Sequence, residues 1–443
     1  MKTKKIFNFL LLLGFLSGCD YLDIVPDNLP TLEMAFNNKS SAERFLFTCY
    51  SFVPEHGGTD PGMDVGDEVW YYSDNSADYS NKTTFWIAKG MQNSNEPLVD
   101  YWNGTQWGKA MFVGIRDCNV FIENIEKVPD LSAYDKETWK AEAKVLKAFY
   151  HFWMMRMYGP IPIIKENIPV SAGEDEVRVV RDKIDDIVTY IVSLIDESVE
   201  YLPLNIQNEA AEMGRITRPA AKAIKAKILA FAASPFFNGN LDYANFKNAE
   251  GEPFFNQVYD NEKWTKAADA CLEAIQCAEE AGHGLYEFVN MSSTQLSDET
   301  ILSLSNRCKV TERWNKELVW GCGQSGIRDL QVLCQPWLES NYSSDDRYHN
   351  ARNGTFAPTL AVAETFYTKN GVPMDEDKNY DYSKRYTTQV ATEADKYYIQ
   401  PGYTTAKLHF DREPRFYATL GFDGSSWYGI GKMDDNDMWY LQA

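Results

Sequence analysis

From Glu137 to Tyr158 the apolar residues Trp139, Ala143, Leu146, Tyr150, Trp153 and Met157 recur at alternating intervals of four and three. That period lines one face of an α-helix and suits no β-strand. Gly159-Pro160 follows, and proline cannot continue a helix. Four more stretches carry the same pattern. Trp107 to Glu126 aligns Trp107, Met111, Ile115, Cys118, Ile122 and Ile125, and Asp182 to Tyr201 aligns Ile184, Val188, Ile191 and Ile195, with Leu202 just beyond. A helix opening at Thr217, with Pro219 in its first turn, carries Ile224, Ile228 and Phe231 before Ser234-Pro235 breaks it. Glu262 to Ala281 aligns Trp264, Ala268, Cys271, Ile275 and Ala278, with Gly282 placed as a C-terminal cap.

Alanines on these packing faces allow close approach, so the chain is expected to be mainly α, with helix pairs stacked like tetratricopeptide repeats but without their strict period of about 34 residues. Between and after the helices lie long polar and aromatic stretches. Val53 to Asn103 has no period, and Ser292 to the end reads as loops with a few short strands. Loops of this length in a compact body are usually functional. The 43 basic residues fall well short of the 64 acidic ones, a formal charge of −21. Without a Lys/Arg cluster, neither nucleic acid nor an anionic membrane surface is an expected partner. The 12 Trp, 26 Tyr and 24 Phe exceed what an ordinary core uses, so some rings are expected to face a ligand.

The first residues set the compartment. Lys2, Lys4 and Lys5 precede an apolar run from Ile6 to Leu16, about half of the roughly 20 residues a spanning helix needs. Leu16-Ser17-Gly18-Cys19 resembles the lipobox of bacterial lipoproteins, in which the cysteine is acylated and becomes the new N-terminus. Residues 1–18 are therefore expected to be a signal peptide. Cys19 is the lipidation site, and 19–37, containing Pro26 and Pro30, is the tether; removal of the signal takes the formal charge to −24. Two or three acyl chains hold a protein on a membrane where one is marginal. Seven cysteines remain, an odd number without a Cys-x-x-Cys pair. Cys49, Cys118 and Cys271 read as buried thiols. The compartment permits a Cys322–Cys334 disulfide, but the expectation is against one.

Five segments in order carry a family resemblance. The stretch Ala141-Glu142-Ala143 through Leu146-Lys147-Ala148 and Tyr150 to Tyr158-Gly159-Pro160-Ile161-Pro162 is similar to the AEA…LRA…Y…YG-x-x-P signature of the SusD/RagB nutrient-uptake lipoproteins of Bacteroidetes. Cys19-Asp20-Tyr21-Leu22-Asp23 looks like that family's start. Arg215-Ile216-Thr217 with Ala220-Ala221-Lys222-Ala223 resembles its GR-[IV]-T…AA-x-A helix. Asn370-Gly371-Val372-Pro373 and Arg412-Glu413-Pro414-Arg415-Phe416 resemble its NG-x-P and RDPR segments, with Glu413 in place of the commoner Asp. The resemblance implies a SusD-like helical fold divided at about residue 240 into an N-terminal helical part, 38–240, and a C-terminal part, 241–443. It implies a non-catalytic lipoprotein on the outer face of the outer membrane, capturing oligosaccharide or polysaccharide and passing it to a SusC-type TonB-dependent transporter barrel. Peptide capture in the same system is the alternative, and a lipid-anchored glycan hydrolase is the alternative of another class. Family chains usually continue past the RDPR region to a last helical part with an R-[YL]-A-E motif. This one stops at Ala443 without it and so reads as a fragment or a shortened member.

The residues also admit a reading of their own. The stripe between 137 and 158 is core packing, and Arg412, Glu413 and Arg415 read as a structural ion-pair cluster. Rings in unpatterned polar sequence are another matter. Trp70, Tyr71 and Tyr72 stand beside Asp74 and Asn75, with Tyr79, Phe85 and Trp86 close behind. A flat ring there can stack on the apolar face of a sugar while the polar neighbours take its hydroxyls, or it can pin the loop to the body. For Trp70, Tyr71 and Trp86 both readings stay open. Tyr101, Trp102 and Trp107 lead directly into a helix and are expected to pack. A second candidate patch is Trp337, Asn341, Tyr342 and Arg347, with Asp345 and Asp346 between the last two.

No His-Glu-x-x-His, Gly-x-Ser-x-Gly, Walker or Gly-x-Gly-x-x-Gly motif occurs, so no catalytic residues are expected. The five histidines, at 56, 151, 283, 349 and 409, are scattered, with His151 a core or boundary residue of its helix. Asp375-Glu376-Asp377 and Asp434-Asp435-Asn436-Asp437 lack the spacing of an EF-hand loop and read as solvated, so neither a metal nor another cofactor is expected.

Overall fold

The computed structural model describes residues 32–54, 66–71, 83–106, 108–290, 296–323, 334–335, 337–338, 356–429 and 432–442. The fold is mainly α: helix pairs stacked on one another, followed by shorter helices, turns and small two- and three-stranded sheets. Its helices include α1 (Lys39–Tyr50), α2 (Thr83–Ala88), α3 (Met111–Asn124), α4 (Ala133–Tyr158), α5 (Ile184–Asp196), α6 (Arg218–Ala233), α7 (Glu262–Glu280), α8 (Asp298–Cys308) and α9 (Pro414–Thr419).

All five predicted helices are present. The longest, α4, starts earlier than its stripe because Ser132 caps it, its hydroxyl accepting from the Asp135 N–H at 3.0 Å. It ends at Gly159, whose φ of +68° is one that a side chain resists. α1, α3 and α5 all pack on α4, so burial spreads beyond the Trp139 to Trp153 stripe to Glu142, Lys147 and His151. Each of these polar groups has partners. Lys147 Nζ donates to the Lys165 carbonyl at 2.6 Å, and His151 lies between the Lys147 carbonyl and the Ile164 N–H. The expected tether has a packed end: Leu32–Ala35 is one helical turn, and Phe36 is buried against Phe45 and Phe121.

Thr217 caps α6 through the Ala220 N–H, as expected. In α7 the expected packing face is the wrong one. Trp264 is 41% and Ile275 55% exposed, and Cys271 is exposed rather than a buried thiol. The buried stripe is Ala267, Ala270, Ala274 and Cys277, which meets Ala226 of α6. Small side chains let the two helices approach closely, and the bulkier ones are turned outward. Cys49 and Cys118 are buried free thiols, as expected, and Cys322 is an exposed free thiol.

α8 lies in the stretch from Ser292 onward expected to hold loops and short strands. It begins at Ser297, whose hydroxyl accepts from the Thr300 N–H, and it packs on α9. Strands β1 (Val69–Tyr71) and β3 (Phe356–Pro358) pair, as do β4 (Thr388–Val390) and β5 (Thr404–Ala406), while β2 (Trp337–Leu338), β7 (Trp439–Gln442) and β6 (Ser426–Trp427) form a three-stranded sheet in that order; all the pairings are antiparallel. Two late motifs differ from expectation. Glu413 pairs with Arg415 at 2.6 Å, but Arg412 stands apart from that pair, buried and donating to the Leu408, Ala363, Phe366 and Tyr367 carbonyls. Asp375, Glu376, Asn436 and Asp437 are exposed as expected, but Asp377 and Asp435 are tied down by hydrogen bonds. Asp377 is buried and accepts from Thr368, Asn370 and the Asn379 N–H, while Asp435 accepts from the Ser297 N–H, Thr300 and Tyr428. Among the described residues no helix is long and apolar enough to cross a membrane.

Candidate functional site

Three of the rings singled out in the first long loop meet. β1 sets Trp70 opposite Ala357 and Tyr71 opposite Phe356, and α2 brings Phe85 and Trp86 over the strand pair. Phe85 is the hub. It is fully buried and meets Trp70, Tyr71 and Phe356 edge-on, with ring centroids 5.1, 4.8 and 5.3 Å away. Such edge-to-face contacts contribute beyond the area they bury. Trp70 and Tyr71 lie nearly parallel at 5.2 Å. Thr359 ties β1 down, its N–H donating to the Glu68 carbonyl and its hydroxyl to the Asp67 carbonyl, both at 3.1 Å.

Lys89, which belongs to none of the expected site residues, joins these rings. Its ammonium donates to the Tyr71 hydroxyl at 2.9 Å and lies 5.8, 5.4 and 5.3 Å from the Trp70, Tyr71 and Trp86 ring centroids. A cation at that range is attracted by each ring's quadrupole, so one lysine holds three aromatics together. The signal for it was helical spacing: Lys89 follows Phe85 by four and Trp86 by three. The rings divide the work. Tyr71 is buried, Trp70 half-buried and Trp86 37% exposed. Tyr71 is consumed in packing, and Trp86 is the most exposed of the three.

Tyr101 and Trp102 pack as expected, Tyr101 edge-on to Trp153 and Trp102 edge-on to Phe112 and Tyr158. The buried Asp100 carboxylate shapes their turn, accepting from the Trp102 and Asn103 N–H groups, the Asn103 amide and Thr105. Trp337 belongs to a different sheet from Trp70, paired across from Gln442. Cys19, Tyr72, Asp74, Asn75, Tyr79, Trp107, Asn341, Tyr342, Asp345, Asp346 and Arg347 lie outside the described residues. Among the described residues no three His, Cys, Asp or Glu side chains gather as a metal would require.

Residues 20–229 match a SusD-like family model described as starch-binding and associating with the outer membrane, and residues 327–442 match the SusD family model. Among solved structures, the protein BT4246 is 28% identical with a TM-score of 0.70, the match covering 88% of this chain and 66% of that one. A SusD-like protein from Bacteroides fragilis matches at 16% identity and a TM-score of 0.60, covering 92% and 65%. A SusD-like carbohydrate-binding protein, also from Bacteroides fragilis, matches at 18% and 0.52, covering 88% and 60%. The chain thus spans less than two thirds of the length of these solved proteins. None of the curated proteins compared with it matches. With SusD models matching in order along the chain and the same helical fold in the solved proteins, the chain belongs to the SusD/RagB family.

Proposed function

We propose that this protein is a non-catalytic binding lipoprotein of the cell surface. Lipid on Cys19 holds it on the outer membrane, and it captures oligosaccharide or polysaccharide for a SusC-type TonB-dependent transporter. The division into a helical part, 38–240, and a C-terminal part, 241–443, belongs to the same reading. The observation that carries it is the partly exposed Trp86 indole, linked through Lys89 to the half-buried Trp70, which Phe85 in turn packs against edge-on. A rigid ring offers stacking area at low entropic cost. The family description as starch-binding and outer-membrane-associated supports the ligand class and the compartment.

Calorimetry of the full chain against a glycan panel tests the ligand, with Trp70→Ala and Trp86→Ala testing the site. Binding by the wild type and its loss in Trp86→Ala is the expected result. Indifference to every glycan, or displacement by peptides alone, would overturn the ligand class; unchanged binding in both variants would overturn the site. Extraction in mild detergent should recover a large β-barrel with the protein, and its absence would count against the transporter role.

A further inference from the structure

A second ring stands over a cleft remote in sequence from Trp86. The loop Asn205–Thr217 and the turn Trp314–Gly321 enclose a cleft of about 220 Å³, with His283 on its wall. Trp314 has φ = +52°, a left-handed conformation that is an outlier for so bulky a residue and that proteins keep mainly where surroundings enforce it. The surroundings do so here. The Asn315 amide donates to the Lys309 and Glu312 carbonyls at 2.8 and 2.9 Å, the Glu317 N–H donates to the Asn315 side chain, and Arg313 donates to the Gly323 carbonyl. The indole is seated against glycine. A Cβ on Gly321 would come 3.0 Å from Cζ3 of Trp314, and on Gly214, itself at φ = +98°, 3.8 Å from Cη2. Trp320 closes the floor, its Nε1–H donating to the Gly214 carbonyl at 2.9 Å.

The polar groups around this ring are suited to hydroxyls. Nδ1 of His283 faces the Lys316 carbonyl at 3.1 Å; a carbonyl only accepts, so Nδ1 carries the proton and Nε2 is left as an acceptor. The exposed side chains of Asn205 and Glu209 have no hydrogen-bond partner among the described residues, and they add a donor-acceptor amide and an acceptor. Arg215 also lines the cleft, but Nε and Nη2 are committed to Glu142 and Nη1 to Glu212. Its charge is neutralised, and Glu209 at the rim repels anions. The volume is below the about 300–1,000 Å³ of a drug-sized pocket, enough for one ring but not for a folded chain.

We propose that the Trp314 cleft is a second carbohydrate subsite, taking one pyranose ring of a neutral glycan against the indole, with Asn205, Glu209 and His283 bonding its hydroxyls. The inference rests on the glycan-binding reading above and adds a place and a charge class to it.

The full chain, labelled with 5-fluorotryptophan and with the Trp314 resonance assigned through Trp314→Phe, is titrated with maltohexaose, cellohexaose, mannohexaose and a galacturonate hexamer. Calorimetry is run in parallel on Asn205→Ala and His283→Ala, whose side chains are exposed or half-buried and whose loss leaves the fold intact. The Trp314 resonance is expected to move on saturation with a neutral hexaose, and each variant to weaken binding about 3- to 10-fold, the worth of one hydrogen bond. A neutral hexaose that binds while the Trp314 resonance stays still and both variants remain within twofold of wild type overturns the subsite but leaves the glycan-binding reading standing. Preference for the galacturonate hexamer overturns the charge class. Binding of none of the four by the wild type overturns the subsite together with the reading it rests on.

Discussion

Arg215 grips the Glu142 carboxylate with two parallel hydrogen bonds inside the helical core, Nε to Oε2 at 3.1 Å and Nη2 to Oε1 at 2.7 Å. The side chains are 7% and 2% exposed. The Tyr50 hydroxyl donates to the same carboxylate at 2.6 Å and accepts from the Ile216 N–H at 2.8 Å. One ion pair therefore fastens α1, α4 and the entry to α6. The two family-like segments around Glu142 and Arg215, 73 residues apart, are the two halves of this contact.

Removing one partner strands the other charge where water cannot reach it. Glu142→Ala and Arg215→Ala should each cost about 3–5 kcal/mol, measured by urea denaturation of the full chain. The double variant Glu142→Leu/Arg215→Met buries no charge, so it should lose less than either single change. Additive losses would show that the two side chains do not act as a pair.

Phe85 and Trp86 are neighbours with opposite expected phenotypes. Phe85 is fully buried at the hub of its cluster, so Phe85→Ala should destabilise by about 3 kcal/mol or more. Trp86 is 37% exposed. Trp86→Ala should change stability by less than about 1 kcal/mol and weaken glycan binding about tenfold, about 1.4 kcal/mol. Denaturation and calorimetry on the same two variants separate the effects; a large stability loss in Trp86→Ala would make that ring structural.

What was legible in the sequence follows from how far each cause reaches along the chain. The stripe of α4 was readable because burial acts at helical spacing, and the Thr217 cap because it lies within one turn of what it bonds. α7 misled because periodicity reports an apolar face without saying which face a neighbour covers; the alanines won through size. The clustering of Trp70, Tyr71 and Trp86 was readable as composition. Their order of exposure was not, since it depends on Lys89 and on Phe356, far away in sequence. The Trp314 cleft was hidden for the same reason, because its walls come from three separate stretches and its sign is a backbone angle.

Arg412 differs from its neighbour Arg415 in what it holds. Its guanidinium donates to the Leu408, Ala363 and Phe366 carbonyls at 2.7 to 2.8 Å and to that of Tyr367 at 3.4 Å, and lies 4.3 Å from the Phe416 ring centroid. A lysine ammonium cannot reproduce that planar fork. Arg412→Lys should therefore cost about 2 kcal/mol or more, since buried carbonyls lose their donors. Arg415→Lys alters an ion pair whose arginine is 59% exposed and should cost less than about 0.5 kcal/mol. Equal losses in the two variants, by denaturant midpoint, would contradict the assignment.

Acid should unfold the protein earlier than its carboxylates alone require. Burial pushes the His151 imidazole down from its ordinary value to about 4. Its hydrogen bonds agree: Nδ1 donates to the Lys147 carbonyl at 2.8 Å, and Nε2 accepts from the Ile164 N–H at 3.2 Å, so a second proton would face a donor. His409 is also held at about 4, by burial and then by the Arg412 charge. A histidine whose folded value lies below its unfolded one contributes stability that is full above the unfolded value, about 6.5, and is lost as pH falls from there towards 4. Each of the two should remove up to about 1.4 kcal/mol per pH unit in that window. Urea denaturation at pH 7.5, 6.5, 5.8 and 5.0 reads the slope before most carboxylates titrate. His151→Gln keeps a donor and an acceptor but cannot be protonated; it should lower stability at pH 7.5 and flatten the slope by one histidine's share. A slope unchanged in that variant would mean that His151 takes up its proton without leaving the core.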